Sequence, residues 1–280
     1  MTKLQFTGGL TTLLFCFALF CDAAASRQIA ADVKISYILP QRQLSLNAPV
    51  IVTFTVKNES SRPIKLDLGQ NRKGGFVFEL VQPDGTRIRL PQYGIDGMSR
   101  PGTLSVRPGQ DFSEKLILNE WYQFKKPGSY GLEARLTQPI LFENGLVAAV
   151  NTRSVGRIEI GPRNIAKLES VCEKLSEQIE ESDSYEDYSD AALELSYVTD
   201  PIAVPYLQKA FVTRKLIQPI VIDGLERIGD GTAARALISF LRGENGDTAA
   251  LIRYALRRIQ KETADPALRQ EIQTRLGSSS

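Results

Sequence analysis

The chain has 280 residues, with 34 basic and 32 acidic side chains and no histidine. This length predicts about two domains, each large enough to bury a core without disulfides. The nearly balanced charge gives no basic surplus that would indicate nucleic-acid binding. The absence of histidine excludes Ser-His-Asp and Cys-His catalysis and histidine-containing zinc sites.

The first 25 residues have the pattern of an export signal. Lys3 supplies a positive charge, residues 10–20 (LTTLLFCFALF) form an apolar run, and residues 23–25 are alanines. Such a run is too short to span a membrane and is typical of a cleaved signal peptide. We therefore predict cleavage before Ser26 and a periplasmic or extracellular protein with no membrane span. A lipid anchor on Cys21 is the alternative, although a bulky phenylalanine precedes that cysteine.

Cleavage would leave Cys172 as the one cysteine of the mature chain. A lone cysteine forms no intramolecular disulfide. It lies among Ile165, Leu168, Leu175 and Ile179 at helical spacing. The spacing predicts a small core residue on the apolar face of a helix rather than a nucleophile.

Residues from about 30 to 160 have the alternating pattern of β-strands. Val50, Val52, Phe54 and Val56 fall on one face, and residues 83–85 (Pro-Asp-Gly) form a turn. Eight strands are predicted, at residues 33–38, 50–56, 64–68, 76–81, 86–90, 112–118, 130–136 and 155–160. Short strands with polar turns and no helices between them predict an antiparallel β-sandwich.

This part resembles bacterial immunoglobulin-like modules. The resemblance rests on the run 47–58 ending in an asparagine turn, on Pro108-Gly109, and on the segment 126–130 that ends in Tyr130. It implies an immunoglobulin-like domain over residues 27–161. It also implies that Tyr130 forms a tyrosine corner, its hydroxyl bonding to the backbone a few residues upstream. Such modules bind or act as spacers more often than they catalyse.

From Pro162 onward the apolar period changes to that of helices. Asn164 is predicted to cap a helix that runs to about Ser182. Six residues then recur at a constant offset of 30: Leu195, Val198, Asp200, Ala203, Leu207 and Phe211 match Leu225, Ile228, Asp230, Ala233, Leu237 and Leu241. A looser third copy has Leu256, Ile259, Asp265, Leu268, Ile272 and Leu276. The aspartate is predicted to cap the second helix of each pair.

These repeats resemble HEAT-like repeats of the short bacterial type found in phycobilin lyase-like proteins. The matching stretches are residues 200–207, 224–241 and 265–269. The resemblance implies a short α-solenoid over residues 162–277, in which stacked hairpins share one core. Lyase activity is not carried over, because most such repeats only bind.

Two charged stretches are candidate surfaces. Residues 177–190 contain seven acids and no base. They are interpreted as a solvated connector, with a docking patch or a calcium site as alternatives. Four cations lie close together in the last repeat: Arg253, Arg257, Arg258 and Lys261. Three of them are four residues apart and share a helix face. They are candidates for binding an acidic partner, phosphate groups or a membrane surface, and the alternative is a solvated face of the repeat stack.

Two further candidates lie in the β part. Trp121, with its aromatic neighbours, is interpreted as packing at a sheet corner or as a carbohydrate platform. The glycine- and proline-rich segment 91–102 is a candidate contact loop, with Tyr93 and Arg100 as its binding residues. The sequence predicts no catalytic residue, no metal ligand and no cofactor. We expect an exported, non-catalytic protein-binding scaffold that uses its repeat surface; the alternative is a protease-inhibitor-like or carbohydrate-binding β module.

Overall fold

The computed structural model describes residues 32–39, 43–91, 102–145 and 154–277. Within these ranges a β-rich part is followed by seven α-helices. The predicted change from strands to helices is therefore confirmed. The predicted export signal lies outside the described residues.

The β-rich part contains eleven strands in the described residues, because three short ones join the eight that alternation predicted. The strands are β1 Val33–Ile38, β2 Gln43–Ser45, β3 Ile51–Asn58, β4 Ile64–Asp67, β5 Phe76–Val81, β6 Arg87–Arg89, β7 Thr103–Val106, β8 Asp111–Ile117, β9 Gly128–Leu136, β10 Leu141–Phe142 and β11 Ser154–Gly161. β2, β7 and β10 have two to four residues each. So short a strand shows no alternation of its own and depends on its neighbour's hydrogen bonds.

The strands form sheets of order β1-β3-β8, β10-β4-β7 and β2-β11-β9-β5-β6. β3 pairs with β1 in antiparallel orientation, and β4 and β5 do so with both of their neighbours, as predicted. β2 and β11 pair in parallel, which corrects the expectation of a purely antiparallel arrangement.

Aromatic side chains fill the interior between the first sheet and β5. Phe54 of β3 is fully buried, and its ring centre lies 4.9 Å from that of Phe76 in an edge-to-face arrangement. The ring centre of Tyr37 of β1 lies 5.2 Å from that of Phe54, with the two ring planes tilted at 53°. Val50, Val52 and Val56 are also fully buried. The single buried face predicted for this strand is thus confirmed.

The predicted turns have the geometry that their residues require. Gly85 has a φ of 85° and donates its N–H to the Gln82 carbonyl at 2.9 Å. The Tyr130 hydroxyl donates to the Lys126 carbonyl at 2.8 Å, four residues upstream. The hydrogen bond expected of a tyrosine corner is therefore confirmed.

Several of the seven helices begin at a side-chain cap. The helices are α1 Ile165–Glu181, α2 Tyr185–Ser196, α3 Val204–Thr213, α4 Gln218–Ile228, α5 Gly231–Leu241, α6 Gly246–Glu262 and α7 Pro266–Gly277. Asn164 accepts the Lys167 N–H at 3.0 Å, so its predicted cap is confirmed. Asp200, Asp230 and Asp265 each accept a backbone N–H at the start of the following turn, as predicted.

The helices pack in two rows. α2, α4 and α6 are successive neighbours, and α3, α5 and α7 form a second series of neighbours. α1 packs against α2 and α3, at the beginning of both series. Leu168, Cys172, Leu175 and Ile179 of α1 are buried, whereas Ile165, also predicted for the buried face, is 49% exposed. Because Ile165 stands in the first turn of the helix, it lies beyond the neighbours that cover the rest of the apolar face.

The described chain divides into two compact units that are not contiguous in sequence. Of the described residues, those within 1–40, 52–116 and 131–157 belong to one unit, and those within 41–51, 117–130 and 158–280 belong to the other. The predicted boundary at residue 161 follows the change of secondary structure. The second unit, however, also takes in three segments from the β-rich part. No helix of the described chain is long and apolar enough to cross a membrane.

Hydrogen bonds explain why residues 41–51 belong with the helices. Asp200 is fully buried, and its carboxylate accepts from Arg163 Nε at 2.6 Å and from Arg163 at a second nitrogen at 2.9 Å. Asn47 Nδ2 donates to the same carboxylate at 3.1 Å, and the Asn47 carbonyl accepts the Thr199 N–H. The Ser45 hydroxyl accepts the Asn164 N–H at 2.8 Å. The capping aspartate of the first repeat is therefore also an ion-pair partner and an anchor.

Candidate functional site

The four predicted cations lie on α6, and the structure divides them into two groups. Arg258 reaches back to α4, where it pairs with Glu226 at 3.1 Å, and it also pairs with Glu262 at 3.6 Å. Arg253, Arg257 and Lys261 form no ion pair with any residue of the described ranges. The first group is thus internal to the helical array, and the second is available to a partner.

Arg258 belongs to a pattern that repeats along the row α2–α4–α6. Arg227 of α4 donates to the Ser196 hydroxyl of α2 at 3.1 Å, and its guanidinium lies 4.1 Å from the ring centre of Tyr197. Arg258 of α6 makes the corresponding contact with Glu226 of α4. α4 and α6 therefore each send an arginine back to an acceptor near the end of the preceding helix in the row.

The register of the repeats assigns a special place to Arg257. Ser196 and Glu226 are 30 residues apart and are the two acceptors. The third copy is offset by 31 residues, as Leu225 and Leu256 show, so the residue that follows Glu226 in this series is Arg257. A cation thus occupies the position that accepts an arginine in the preceding helices. The free side of α6 would repel a further helix of the same kind, and it suits a negatively charged neighbour.

Apolar side chains accompany these free cations. Tyr254 is 58% exposed and Leu251 is 41% exposed, both on α6. Arg253, Arg257 and Lys261 recur every four residues, so they follow one side of this helix. We call these three residues the basic stripe. Charge with an adjacent exposed aromatic ring is a common composition of protein interfaces.

The pairing of Arg258 with Glu226 affects the pKa of both residues. Burial raises the pKa of Glu226, and the nearby Arg258 guanidinium offsets only part of that effect. Glu226 in turn raises the pKa of Arg258, which stays protonated. Glu226 is mostly covered, since 18% of its side chain is exposed. This pair is therefore a helix-to-helix contact rather than a binding group for an external partner.

Trp121 does not form the platform that one interpretation assigned to it. It is 7% exposed, and Phe124 beside it is 6% exposed. Phe124 packs edge-to-face on Tyr122 and Tyr130, with ring centres 5.1 Å apart in both cases. Because Trp121 is buried, neither face of its ring is open for a sugar to stack on. These aromatic residues therefore pack in the core at a sheet corner, which was the other interpretation. The other candidates of the β part, Tyr93 and Arg100, lie outside the described residues.

The acidic segment 177–190 spans the end of α1 and the start of α2. The Ser184 hydroxyl caps α2 by accepting the Asp187 N–H, and Glu186 and Asp187 lie in the first turn, where the helix dipole favours acids. Glu180 pairs with Lys209 of α3, which lowers the pKa of that carboxyl. In the described ranges no three acidic or cysteine side chains converge as a metal site. The segment therefore has the structure of a capped helix connection.

The structure shows a longer acidic surface than the predicted segment. Four exposed glutamates follow one side of α1 at four-residue spacing: Glu169, Glu173, Glu177 and Glu181. None of them forms an ion pair with a residue that the structure describes. We call them the acidic stripe. Sequence reasoning counted the acids of a segment and missed the stripe, although the spacing of four in a predicted helix was visible.

Cys172 has the environment predicted for it. The side chain is fully buried in the helical core, and burial raises the pKa of its thiol to about 12. Thiolate is the nucleophilic form of cysteine, so a thiol with this pKa is inert at neutral pH.

An open cleft of about 450 Å³ lies beside the first turn of α1, within the second unit. Its lining includes Gln43 and Ser45 from β2 and Asn164, Lys167 and Ser170 from the helical part. Hydrolysis of glycosidic bonds uses two carboxylates. The described lining of this cleft supplies amide, hydroxyl and ammonium groups and no carboxylate.

No protein-family model and no curated protein matches the sequence. Among solved structures, a β-glucosidase from Listeria innocua in complex with isofagomine is 11% identical with a TM-score of 0.27, over 47% of this chain and 16% of that chain. The β-glucosidase EmGH1 from Erythrobacter marinus is 13% identical with a TM-score of 0.23, over 46% and 16%. The CARDB domain of the PF1109 protein from Pyrococcus furiosus, in complex with di-metal ions, is 12% identical with a TM-score of 0.27, over 48% and 94%.

These likenesses are too distant to carry an argument about fold or function. The chain spans only 16% of the length of the β-glucosidases that it resembles.

Proposed function

We propose that this protein is an exported, non-catalytic protein-binding scaffold that engages its partner through a HEAT-like repeat surface. On this proposal the β-rich part is an immunoglobulin-like module and the seven helices form a short α-solenoid. The 30-residue offset and the capping aspartates support the repeat assignment. The tyrosine-corner hydrogen bond of Tyr130 supports the immunoglobulin-like assignment.

One observation carries the binding role: the outer side of α6 combines unpaired cations with exposed apolar side chains. The basic stripe has no acidic partner in the described ranges, and Tyr254 beside it is 58% exposed. Exposed large apolar residues next to unpaired charge favour an interaction surface over a merely solvated one. Helical repeats commonly bind through such extended surfaces.

Catalysis is no part of the proposal. The sequence has no histidine, and its candidate thiol, Cys172, is buried with a raised pKa. Burial of Trp121 also removes the argument for a carbohydrate platform in the β-rich part. We assign the protein to the space outside the cytoplasmic membrane because of the signal-like segment at residues 1–25.

Site-specific photocrosslinking in the full chain tests this proposal. A photoreactive amino acid replaces Tyr254 in one variant and Ser105, an exposed residue of β7, in a matched control. We expect the same protein to be captured from intact cells at position 254 and not at position 105. Capture at 105 alone would contradict the proposal and favour the β-rich part.

The whole chain is needed for this experiment. The helical unit includes residues 41–51 and 117–130, so a fragment that begins at residue 163 lacks segments that pack with the helices. In particular, it lacks Asn47, which bonds to the buried Asp200. A negative result with such a fragment would report misfolding rather than the absence of a binding surface.

A further inference from the structure

We infer that the partner of the basic stripe is a second copy of this chain, whose acidic stripe docks onto it head to tail. The inference rests on the proposed binding function and names its partner. The contact would join α1 of one copy to α6 of the next.

The acidic stripe has the properties of a surface that binds a cationic partner. Glu169, Glu173, Glu177 and Glu181 are all exposed on α1. Like charges at four-residue spacing destabilise a helix slightly. Four such residues in succession, none paired within the described chain, therefore carry a cost that a cationic neighbour would remove.

The basic stripe is complementary in period and in length. Arg253, Arg257 and Lys261 have the same four-residue spacing as the glutamates. At a rise of about 1.5 Å per residue, the acidic stripe is about 18 Å long and the basic stripe about 12 Å. The three cations can therefore face three successive glutamates along two roughly aligned helices.

The two stripes cannot pair within one molecule. The order of neighbours in the row is α1, α2, α4, α6, so two helices lie between the stripes. With helix axes about 8–10 Å apart, the axes of α1 and α6 are roughly 30 Å from each other. That separation exceeds the Debye length of about 8 Å at physiological salt. Direct pairing of the stripes must be intermolecular.

Apolar residues flank both stripes. Ile165, 49% exposed, stands four residues before Glu169 and so continues the line of the acidic stripe. Tyr254, 58% exposed, lies next to Arg253 and one turn before Arg258. Burial of such side chains would add a contribution that salt does not screen.

A second copy of the chain would neutralise both stripes, whereas any other ligand of the basic stripe would neutralise only that one. An anionic lipid or a phosphate group would neutralise the basic stripe and leave the acidic stripe as it is. The repeat register also favours a second copy. Arg257 occupies the position at which Ser196 and Glu226 accept an arginine in the two preceding helices of the row, so the free side of α6 attracts acids and repels arginine. The face that would meet it, α1, is the acidic one.

The contact has a predictable behaviour. It joins different surfaces of identical chains, so it leads to open chains of molecules unless the rotation closes a ring. Exposed ion pairs are individually weak and are screened by salt. We therefore expect association only at low salt or high protein concentration.

Charge reversal of each stripe tests the inference in the full chain without its signal segment. One variant carries E169K, E173K and E177K, and another carries R253E, R257E and K261E. A control with the same charge change as the second variant carries R107E, K125E and K126E, which reverse exposed cations of the β-rich part. Sedimentation velocity measures the mass of each protein up to about 300 µM, in about 20 mM and 300 mM salt.

The expected pattern is specific. The unaltered chain and the control associate at low salt, and their association weakens at least about tenfold at high salt. Each stripe variant alone is monomeric. An equimolar mixture of the two stripe variants associates again, because each reversed stripe then meets its new complement.

Several results would overturn the inference. The inference fails if the unaltered chain is monomeric at low salt. It also fails if association survives the charge reversal of either stripe, or if the mixture of the two stripe variants stays monomeric. Circular dichroism checks that each variant is folded; for a variant that is not, the neutral set E169Q, E173Q and E177Q or R253Q, R257Q and K261Q replaces it. A monomeric chain that crosslinks a different protein at position 254 would refute the second copy and leave the scaffold proposal standing.

Discussion

Asp200 allows the sharpest test of how the helical unit is held together. Its buried carboxylate accepts two hydrogen bonds from Arg163 at 2.6 and 2.9 Å, one from Asn47 at 3.1 Å and one from the Ile202 N–H at 3.2 Å. Asp200→Asn keeps the shape and the capping oxygen. It places an NH2 group against the donors of Arg163 or Asn47 and removes the charge. The substitution therefore isolates the ion pair from the cap.

The magnitude follows from the pKa of this carboxyl. The Arg163 guanidinium is the main cause that lowers it from 3.8 to about 2, with the Asn47 amide adding to the effect. At 1.36 kcal/mol per pKa unit, the native contacts stabilise the charged form by about 2 kcal/mol. Loss of a partner from a fully buried ion pair costs about 3–5 kcal/mol. The side chain of Arg163 is 48% exposed, so water compensates part of the loss and about 2 kcal/mol is expected.

The pH dependence has a defined sign. Because the pKa is lower in the folded state than in the unfolded state, the contribution is complete above about pH 4 and is lost as the pH falls towards 2. The free energy of unfolding of the Asp200→Asn protein should differ from that of the unaltered chain by about 2 kcal/mol at pH 7 and by much less near pH 2.

Urea unfolding followed by Trp121 fluorescence measures this difference. Trp121 is the single tryptophan and lies in the same compact unit as Asp200. Asp230→Asn is the matched control, because Asp230 caps the next repeat through the Ala233 N–H without an ion pair to any described residue. It should cost only a few tenths of a kcal/mol. An equal loss in the two variants, or a difference independent of pH, would refute the assignment.

Three further substitutions or reactions probe the same unit. Gly224→Ala should destabilise by about 1–3 kcal/mol, since the new Cβ would lie 2.9 Å from Ser196 Cα; Gly231→Ala, with no atom nearer than 3.6 Å, should be neutral or stabilising in the same urea titration. Arg214 donates to three carbonyl groups at the end of α1, so Arg214→Ala should lower the free energy of unfolding by about 1–3 kcal/mol. Arg214→Lys should recover only part of this stability, as measured by thermal unfolding at 222 nm. Full recovery by lysine would contradict the role of the planar guanidinium. In the chain without its signal segment, Cys172 should react with iodoacetamide at pH 8 about a thousand times more slowly when folded than in urea, because its pKa is near 12; mass spectrometry showing rapid native labelling would rule out its burial.

Local sequence rules predicted the local structure well. The alternation of residues 50–56 predicted a strand whose Val52, Phe54 and Val56 are fully buried. Asn164 and the three repeat aspartates predicted caps that the structure contains. These predictions succeed because a cap or a buried face depends on residues within a few positions of one another.

Contacts between distant segments were not predictable in the same way. The hydrogen bond from Asn47 to Asp200 joins residues 153 positions apart, and nothing in either local pattern indicates it. The three short strands depend likewise on remote partners. Burial of Trp121 also had to come from the fold, because an aromatic cluster at the end of a strand has the same sequence whether it faces solvent or core.

The repeat register lies between these two cases. Leu195 and Leu225 define an offset of 30 residues, and Leu225 and Leu256 define an offset of 31. Together they predict which residues of the row α2–α4–α6 are equivalent. Applied to the polar positions as well as the apolar ones, the first offset places Glu226 opposite Ser196, and the second makes Arg257 the next residue in the series. The contacts show that the first two of these accept an arginine from the following helix. The third residue of the series, Arg257, is a cation instead of an acceptor and lies on the free side of α6. This change can be recognised in the sequence once the repeat is known. The positions at which the last repeat differs from the earlier ones therefore indicate what kind of surface binds to it.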